Sequence, residues 1–329
     1  MINIQPLIKI SHPLGFEMPA RLSHPIAILA SELSTERGHP EQRSLAKRRE
    51  GSSSSKQNQF FTEKNALVFT FRFRLLYLLL PGLFFLFSCN SSQPSLLEKM
   101  DSSDTGINFT NQIIADDSLN LLNQTNMYNG AGVAIGDLNG DSLPDLVLAG
   151  NQVPLKAFLN RGNWKFEDIT QKSGLISERW TNGISLVDIN ADGLTDIYVS
   201  NSILNTPQQR ANEFFIHQGY DAEGYPIYKE EAEKMGLANT GLSTHTAFFD
   251  YDKDGDLDAY VLTNTMETFP HNTLRPKKKD GTGKSNDFLY RNNGDGTFTD
   301  VSTEAGITIE GYGLGIAITD INRDQWPDI

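Results

Sequence analysis

Four short acidic segments with one internal spacing constrain the fold of this chain more than any other feature. In each segment, side chains that carry oxygen occupy positions 1, 3, 5 and 9 of nine residues. The four sets are Asp137/Asn139/Asp141/Asp145, Asp188/Asn190/Asp192/Asp196, Asp250/Asp252/Asp254/Asp258 and Asp320/Asn322/Asp324/Asp328. This spacing lets a short loop surround a hard cation such as Ca²⁺ with oxygen ligands, usually including the backbone carbonyl of position 7. Because so many carboxylates would otherwise repel one another, the sequence predicts four calcium loops.

We call these segments loop 1 (residues 137–145), loop 2 (188–196), loop 3 (250–258) and loop 4 (320–328). Loop 3 has a carboxylate at all four ligand positions, whereas the other loops have Asn at position 3. Position 7 of loop 3 is Asp256, whose backbone carbonyl would supply the remaining protein ligand. Because calcium affinity depends on the charge of the ligands, we expect loop 3 to bind Ca²⁺ most tightly.

EF-hands, tandem nonapeptide repeats and ordinary turns are the alternatives to this interpretation. An EF-hand needs a bidentate Glu at position 12, where this chain has Leu148, Val199 and Val261 in apolar segments. Nonapeptide repeats follow one another directly, whereas these loops lie dozens of residues apart. A simple turn of Asp, Asn and Gly would explain any single loop. Four loops with matched carboxylates at positions 1, 5 and 9 favour the cation.

The loops lie between segments that have the composition of β-strands. Strands are predicted before the loops at residues 132–136, 183–187, 246–249 and 313–319, and after them at 146–148, 197–199 and 259–262. Hairpins are predicted over residues 158–169 and 288–301, where turns that contain glycine separate alternating apolar residues. Each repeat unit therefore contains several strands.

The distances between repeats show which half of the unit is constant. Fourteen residues separate each closing glycine (Gly174, Gly236 and Gly306) from the first Asp of the next loop. The interval from a loop's first Asp to its closing glycine grows from 37 to 48 to 56 residues. The extra length falls in two insertions, at residues 201–213 and 264–287. This pattern predicts an all-β chain of about four propeller blades with insertions after one strand.

The first hundred residues differ in composition and predict export. Residues 1–65 are polar and irregular, which indicates either disorder or a wrongly assigned N-terminal extension that is not translated. Residues 66–88 combine a basic flank with an apolar run too short for a membrane span, as is typical of a secretory signal. The run ends at Cys89, the single cysteine, in a sequence that looks like a bacterial lipobox. We expect a lipidated Cys89 and a tether over residues 89–104; a short membrane anchor is the alternative.

The charge of the mature part bears on partners and location. Residues 89–329 carry 17 basic and 35 acidic side chains, a balance of −18 within a net charge of −13 for the chain. This charge argues against nucleic-acid binding and suits a solvated surface with cation sites. Together with the lipobox, it predicts a protein secreted across the inner membrane and held in the cell envelope. We expect an outer-membrane-anchored lipoprotein, attached to the membrane only through its lipid.

Four segments carry a family resemblance. They are residues 105–109 (Thr-Gly-Ile-Asn-Phe), 128–137 (Tyr-Asn-Gly-Ala-Gly-Val-Ala-Ile-Gly-Asp), 166–169 (Phe-Glu-Asp-Ile) and 248–258. Through them, residues 105–329 resemble the FG-GAP/VCBS repeat proteins, the calcium-loop β-propellers related to integrin α-subunit heads. The chain looks closer still to bacterial lipoproteins associated with an ASPIC/UnbV domain, relatives of cartilage acidic protein. The resemblance implies seven blades, so a chain with four loops is expected to be truncated at its C-terminus.

Three functions are compatible with this reading of the sequence. We expect an envelope-anchored binding module for a glycan or an extracellular or envelope protein, with the insertions as its recognition face. Five basic side chains of the second insertion would contact an anionic ligand or simply be solvated; they are Arg275, Lys277, Lys278, Lys279 and Lys284. A purely structural role in the envelope is the second possibility.

An enzyme, such as a polysaccharide lyase or hydrolase, is the third possibility. It would need an acid–base pair near the centre of the propeller. The candidates are His217, His245, His271, Tyr198 and Tyr260, which form no recognisable constellation in the sequence. Packing within or beside strands explains each of them, so we expect no catalytic residues.

Overall fold

The computed structural model describes residues 8–10, 97–124, 126–203, 206–264 and 276–329. The signal-like segment, Cys89, His271 and Arg275 lie outside these residues, as does the N-terminal extension apart from strand β1 (Ile8–Ile10). In the expected tether, Leu97–Lys99 forms strand β2, and helix α1 (Ser102–Thr105) follows. Within the described ranges, no helix has the length and apolar character needed to cross a membrane.

Three four-stranded antiparallel sheets, which we call blades 1 to 3, follow one another along the chain. Blade 1 comprises β3 (Val133–Gly136), β4 (Asp145–Leu148), β5 (Lys156–Asn160) and β6 (Phe166–Asp168). Blade 2 comprises β7 (Thr181–Val187), β8 (Asp196–Asn201), β9 (Glu213–Tyr220) and β10 (Pro226–Glu230). Blade 3 comprises β11 (Ser243–Phe249), β12 (Asp258–Thr263), β13 (Phe288–Asn292) and β14 (Phe298–Asp300). The predicted all-β architecture of a partial propeller is confirmed.

Short helical turns accompany the blades. Helix α2 (Thr170–Ser173) follows blade 1 and helix α3 (Ala232–Met235) follows blade 2. Gly174 and Gly236, two of the closing glycines of the sequence repeat, end these helices. A 3₁₀ turn (Gln208–Arg210) lies between β8 and β9.

Loops 1 to 3 each join the first strand of a blade to the second. Position 12 lies within the second strand and pairs with the first, as Val199 does with Ile184 in blade 2. In blade 3, Val261 pairs with Thr246 in the same way. These strands confirm that the loops are not EF-hands, because an EF-hand places its loop between two helices.

The predicted first strand of the fourth repeat is wrong. Residues 313–319 form no strand; Thr319 makes an isolated bridge with Asp328, and Tyr312 makes another with Asn264. A strand needs a neighbouring strand to satisfy its backbone groups. Among the described residues, only Asp328, at the end of loop 4, bridges to residues 313–319, and most of loop 4 is exposed.

Apolar side chains hold blades 1 and 2 face to face. Val147 and Leu159 of blade 1 join Ile197 and Phe215 of blade 2 in one cluster, each at most 2% exposed. Blades 2 and 3 pack through a second cluster that contains Tyr198 and Phe214. Burial of such side chains contributes about 1.5–3 kcal/mol each, so contact between blades is a main source of stability.

The segment before blade 1 covers the other face of that blade. Ile107 and Phe109 pack with Leu146, Leu148 and Phe158 in a separate cluster. Alternate side chains of β4 therefore enter different clusters, as the period of two in a strand requires. The motif at residues 105–109, on which part of the family resemblance rested, thus serves to cover this face.

The first strands of the three blades are neighbours, and glycine allows their close approach. A Cβ atom added to Gly132 would lie 2.7 Å from the backbone nitrogen of Ile184. A Cβ atom on Gly183 would lie 2.5 Å from the carbonyl oxygen of Thr244. Neither position has room for a side chain at the present distance between strands.

Both insertions join the second strand of a blade to the third. In blade 2, β8 ends at Asn201 and β9 begins at Glu213, as predicted. In blade 3, β12 ends at Thr263 and β13 begins at Phe288. Because the acidic loop and the insertion begin at opposite ends of the same strand, they lie at opposite ends of the blade.

Candidate metal centre

All four acidic loops have the same backbone conformation at two positions. Positions 4 and 6 have positive φ angles in every loop, between 56° and 100°. The position 4 residues are Gly140, Ala191, Lys253 and Arg323, and the position 6 residues are Ser142, Gly193, Gly255 and Gln325. Five of these eight residues have side chains, which disfavour this conformation. The spacing of the oxygens therefore accompanies one defined turn, with or without glycine.

The Asp at position 9 ties each loop to its blade. In blade 1, Asp145 Oδ2 accepts the backbone N–H of Leu138 at 2.8 Å, and Oδ1 accepts that of Asn160 at 2.7 Å. Asp196 and Asp258 accept the equivalent pairs of backbone N–H groups in blades 2 and 3. In loop 4, Asp328 accepts the N–H of Ile321 at 2.8 Å. Position 9 thus joins the start of the loop to the third strand in all three blades.

The position 9 carboxyls of blades 1 to 3 are fully buried, and this changes their acidity. Burial raises the pKa of Asp145, Asp196 and Asp258 to about 6, although the two backbone donors act in the opposite direction. Neighbouring carboxylates of the same loop add to the increase. A cation beside these groups would favour the ionised form and lower the pKa.

Loops 1, 2 and 4 satisfy their own carboxylates through the Asn at position 3. The side-chain amides of Asn139, Asn190 and Asn322 donate to the carboxylate at position 5 over 2.9–3.0 Å. The amide oxygen of the same Asn accepts the backbone N–H of position 5 in all three loops. Each loop is therefore closed by hydrogen bonds that need no cation.

Loop 3 lacks this closure, because Asp252 replaces the Asn and has no N–H to donate. Its buried atoms Asp250 Oδ1 and Asp252 Oδ1 have no hydrogen-bond partner among the residues that the structure describes. The remaining bonds are also longer: the N–H of Gly255 lies 3.1 Å from Asp250 Oδ2, against 2.7–2.9 Å for the equivalent bonds of the other loops. Carboxylate oxygens withdrawn from water without a donor are unfavourable unless a cation is present.

Three carboxylates of loop 3 converge on one point. Asp250, Asp252 and Asp254 each offer an oxygen, and these oxygens lie within 4.8 Å of one another. Among the residues that the structure describes, this is the one group of three or more His, Cys, Asp or Glu side chains so arranged. Asp258, the fourth predicted ligand, lies outside this group. Ligands that are all oxygen and carry several negative charges fit a hard cation such as Ca²⁺.

Loops 1, 2 and 4 have Asn in place of one of these three carboxylates, and Asp141 of loop 1 shows how the position 5 carboxylate is held there. Asp141 is exposed, and both of its carboxylate oxygens already accept hydrogen bonds. Its Oδ2 accepts the amide of Asn139 at 3.0 Å, and its Oδ1 accepts the backbone N–H of Leu143 at 2.8 Å. The position 5 carboxylates of loops 2 and 4, Asp192 and Asp324, accept the same two bonds.

Loop 3 therefore differs from the other three loops in the arrangement of its carboxylates. Within the described ranges, the three aspartates of loop 1, of loop 2 or of loop 4 do not bring their oxygens within 4.8 Å of one another. Carboxylates that are satisfied by amide and backbone donors have no need to turn toward a common point. Calcium binding by these loops stays a prediction for the following residues: Asp137, Asn139, Asp141, Asp145, Asp188, Asn190, Asp192, Asp196, Asp320, Asn322, Asp324 and Asp328.

Asp256 contributes a side chain where the sequence predicted only a backbone carbonyl. Its Oδ1 atom is buried and has no hydrogen-bond partner. Burial and the neighbouring carboxylates of Asp254, Asp252 and Asp250 raise the pKa of Asp256. No sequence signal indicated this role, since the other loops have Leu143, Leu194 and Trp326 at position 7. Loop 3 therefore concentrates more unsatisfied negative charge than its four ligand positions suggest.

Neighbouring loops also contact one another. The hydroxyl of Thr195 in loop 2 donates to the backbone carbonyl of Asp137 in loop 1 over 3.0 Å. The ammonium of Lys253 in loop 3 lies 3.9 Å from the ring centroid of Trp326 in loop 4. Such cation–π contacts stabilise by about 0.5–1 kcal/mol at exposed sites.

The histidines and tyrosines that an enzyme would need have different surroundings in the described part of the chain. His217 packs edge-on against Tyr220 and Tyr228, and its backbone N–H donates to Asp196. Tyr198 is buried and donates to the carbonyl of Leu237. Tyr260 donates to Asp287. His245 is half-buried on β11, and burial lowers its pKa.

Most of the described basic residues of the second insertion are exposed. Lys277, Lys279 and Lys284 are exposed, whereas Lys278 is half-buried. The backbone N–H of Lys278 donates to Glu310, and its ammonium donates to the carbonyl of Thr282. The structure therefore presents three of these four lysines to solvent at the end of blade 3 away from loop 3.

Parts of this chain are similar to a known repeat family and to two curated proteins. A family model described as FG-GAP-like repeat matches residues 118–199 and 281–329. Cartilage acidic protein 1 of Mus musculus is 23% identical over 201 residues, which cover 61% of this chain and 28% of that protein. The protein of the same name from Homo sapiens is 24% identical over 202 residues, 61% of this chain and 27% of that protein. The chain thus spans less than a third of the length of the curated relatives it matches.

Proposed function

We propose that this chain, which carries FG-GAP-like repeats, is an extracytoplasmic binding module whose blades are stabilised by calcium. Such repeats are typical of extracellular binding or structural modules, and the finer assignment rests on the acidic loops and the N-terminal segment. The single observation that carries the calcium part is the set of buried, unpartnered carboxylate oxygens in loop 3.

Calcium would act as a structural clasp in this proposal. Asp250, Asp252 and Asp254 would hold the ion, with Asp256 beside them, and the ion would supply the positive charge that these carboxylates lack. Loop 3 joins β11 to β12, so neutralising it would stabilise the start of blade 3. Asp258 would retain its two backbone hydrogen bonds and keep the loop attached to β13.

Loops 1, 2 and 4 would bind calcium more weakly. Their Asn at position 3 supplies one fewer negative charge, and its amide already neutralises part of the position 5 carboxylate. A cation would have to displace these hydrogen bonds before it gained its own ligands. These hydrogen bonds would add to the difference in calcium affinity that the ligand charges alone predict.

The location and the ligand are the finer parts of the proposal. Lipidation of Cys89 would anchor the protein in the cell envelope, and the insertions would face a glycan or a protein. The exposed lysines 277, 279 and 284 favour a contact with an anionic group at this end. Their replacement by glutamate should weaken binding to a captured anionic partner, whereas the same replacement at Lys165, an exposed lysine in the turn between β5 and β6, should not.

Thermal unfolding with and without calcium tests the core of the proposal. A site held at one-hundredfold excess of ligand over Kd stabilises by about 2.7 kcal/mol, which corresponds to about 5–10 °C for a chain of this size. We expect EDTA to lower Tm by this amount and calcium, but not equimolar magnesium, to restore it. A Tm that chelation leaves unchanged would overturn the calcium assignment. Membrane fractionation of a Cys89→Ser variant separately tests the anchor, which predicts release of the variant into the soluble fraction.

A further inference from the structure

A cleft of about 410 Å³ opens at the end of the first strands opposite the acidic loops. Its lining comes from the segment before blade 1, from blades 2 and 3, from the start of the second insertion and from the fourth repeat: Asn126, Asn129, Gly130, Asn182, Thr244, His245, Asn264 and Leu314. Asn182 lies at the start of β7 and Thr244 at the start of β11, whereas loops 2 and 3 follow the far ends of these strands. Asn264 is the first residue of the second insertion. The cleft therefore lies at the insertion end of the blades.

The chemistry of this lining is unusual for so acidic a chain. Four of the eight residues are asparagines, and none is a carboxylate, lysine or arginine. Burial lowers the pKa of His245, which keeps its imidazole neutral at pH 7. The cleft thus offers neutral groups that both donate and accept hydrogen bonds.

Hydrogen bonds fix these side chains in place while leaving acceptors available. The amide of Asn126 donates to Asn264 Oδ1 over 3.0 Å, and the amide of Asn182 donates to the carbonyl of Ser243 over 3.2 Å. Thr244 donates to the carbonyl of Gly313 over 3.2 Å. Within the described residues, Asn182 Oδ1 and the imidazole of His245 make no hydrogen bond. A rigid lining with available acceptors is the arrangement that a ligand site needs.

His245 departs from the repeat at the position that lines the cleft. Gly132, Gly183 and Gly315 stand five residues before the first Asp of loops 1, 2 and 4, and His245 stands at this place before loop 3. The equivalent glycines of blades 1 and 2 allow the first strands to approach closely. The imidazole of His245 packs beside Gly183 of the neighbouring first strand, where an added Cβ atom would lie 2.9 Å from its Nδ1 atom. The glycine thus leaves room for the imidazole at the edge of the cleft, where it can hydrogen-bond to a ligand.

We infer that this cleft binds a neutral, hydroxyl-rich segment of a carbohydrate. Sugar hydroxyls donate and accept hydrogen bonds, and amides, a hydroxyl and an imidazole complement both properties. The exposed side chain of Leu314 offers an apolar surface to the C–H face of a sugar ring. A volume of about 410 Å³ lies within the range of about 300–1,000 Å³ for small-ligand sites. The inference rests on the proposed binding function and names its site and ligand class.

Other ligand classes fit the lining less well. An anionic ligand would find no positive charge among the described residues that line the cleft, and leaving its charge unpaired would be unfavourable. An apolar ligand would bury amides without partners. An extended peptide needs pockets for alternate side chains besides hydrogen bonds to its backbone, whereas Leu314 is the single large apolar residue of this lining.

Isothermal titration of the full chain with neutral trisaccharides tests the inference. The probes are cellotriose, maltotriose, mannotriose and tri-N-acetylchitotriose, with a heparin-derived oligosaccharide and an unstructured peptide as comparisons. We expect at least one neutral trisaccharide to bind, and Asn182→Ala and His245→Phe each to weaken it about tenfold, as for the loss of one hydrogen bond. His245→Gln, which keeps a donor and an acceptor, should retain more affinity than His245→Phe. Asn108→Ala is the matched control and should bind normally, because it removes an exposed amide between Ile107 and Phe109, which pack on blade 1 outside the cleft lining.

The possible results distinguish failure of the cleft assignment from failure of the proposed binding function. Equal affinities of the Asn182→Ala, His245→Phe and Asn108→Ala variants for a trisaccharide would overturn the assignment of the ligand to the cleft. Such a result would still support a binding module. Binding of the heparin oligosaccharide or the peptide alone would overturn the ligand class. No binding by any neutral trisaccharide at millimolar concentration would overturn the inference and leave calcium stabilisation to be judged by Tm. If His245→Phe fails to fold, Asn182→Ala decides the question alone.

Discussion

Loop 3 and loop 2 share a backbone conformation but differ in the side-chain hydrogen bonds that stabilise it. In loop 2, Asn190 donates to Asp192 and accepts the backbone N–H of that residue, so the loop closes on itself. In loop 3, Asp252 stands in place of the Asn, and buried oxygens of Asp250 and Asp252 have no donor. One amide in place of a carboxylate thus separates a loop that satisfies its own carboxylates from one with buried carboxylate oxygens that lack donors.

This difference changes how a repeated acidic motif should be interpreted. An oxygen at position 3 is compatible with a calcium ligand in all four loops, but an Asn at that position also carries two N–H donors. Those donors bind the carboxylate at position 5 in loops 1, 2 and 4. Matched spacing therefore predicts a common turn, and we expect the residue at position 3 to set how strongly that turn depends on calcium.

The largest effect is expected from making loop 3 resemble its neighbours. Asp252→Asn should supply the missing donor to Asp254 and remove one negative charge from the cluster. We expect calcium-free stability to rise by about 1 kcal/mol, as for one new hydrogen bond, and calcium affinity of loop 3 to fall at least tenfold. Urea unfolding in EDTA and in calcium measures both. A variant whose calcium-free stability falls would contradict the role assigned to Asp252.

The reverse change in loop 2 is the matched control. Asn190→Asp removes the amide that donates to Asp192 and adds a charge, and Asn190 is exposed, so packing is unaffected. We expect calcium-free stability to fall by about 1 kcal/mol and calcium to restore it. The account fails for loop 2 if this variant gains no dependence on calcium in the same urea experiment.

A pH dependence follows from the buried carboxyls at position 9. In the calcium-free fold, burial raises the pKa of Asp145, Asp196 and Asp258 to about 6 from an ordinary value of 3.8. A raised carboxyl pKa means that the fold prefers the protonated form, so calcium-free stability should decrease as pH rises from about 4 to about 6. Calcium requires the ionised form, so its stabilising effect should weaken below about pH 6. Scans of Tm from pH 4 to pH 8, with calcium and with EDTA, measure both trends.

The smallest effect concerns the shared turn itself. Ala191 at position 4 of loop 2 is exposed and has a φ of 56°, a conformation that glycine adopts more readily. Ala191→Gly should stabilise the protein by about 0.5 kcal/mol, the balance of relieved strain and added backbone entropy. Chemical unfolding measures it, and a loss of stability of that size would show that the turn is not strained at this residue.

Much of the fold could be predicted because its signals are local. Alternating apolar residues and the Asn293-Gly294 turn specified the hairpin that became β13 and β14. The constant 14-residue interval from each closing glycine to the first Asp of the next loop identified the repeat without any knowledge of the strands. The strand predicted over residues 313–319 failed because pairing depends on a neighbouring strand, which local composition does not describe.

The candidate site was only partly predictable, because side-chain direction depends on the turn and on nearby donors. Asp141 and Asp254 occupy the same position of their loops, yet the first is held by an amide and only the second belongs to a converging cluster. The sequence predicted that Asp256 would offer only its backbone carbonyl. The structure shows that its side-chain Oδ1 atom is also buried beside that cluster. The spacing of the acidic residues in the loops predicts neither difference.

The cleft could not be predicted, because its residues are distant in sequence. It brings together Asn126 and Asn264, which are 138 residues apart, and no local pattern connects them. Two of the histidines considered as acid–base candidates, His217 and His245, occupy an aromatic cluster and an open cleft, respectively. Only the packing of the blades against one another separates their surroundings.

Calorimetric titration of calcium into Asp250→Ala and Asp188→Ala tests the central claim most directly. Both variants remove the position 1 carboxylate, the first from loop 3 and the second from loop 2. The account predicts that Asp250→Ala abolishes the binding step of highest affinity and that Asp188→Ala leaves it intact. Equal losses in the two variants, or loss of the tightest step in Asp188→Ala alone, would contradict it.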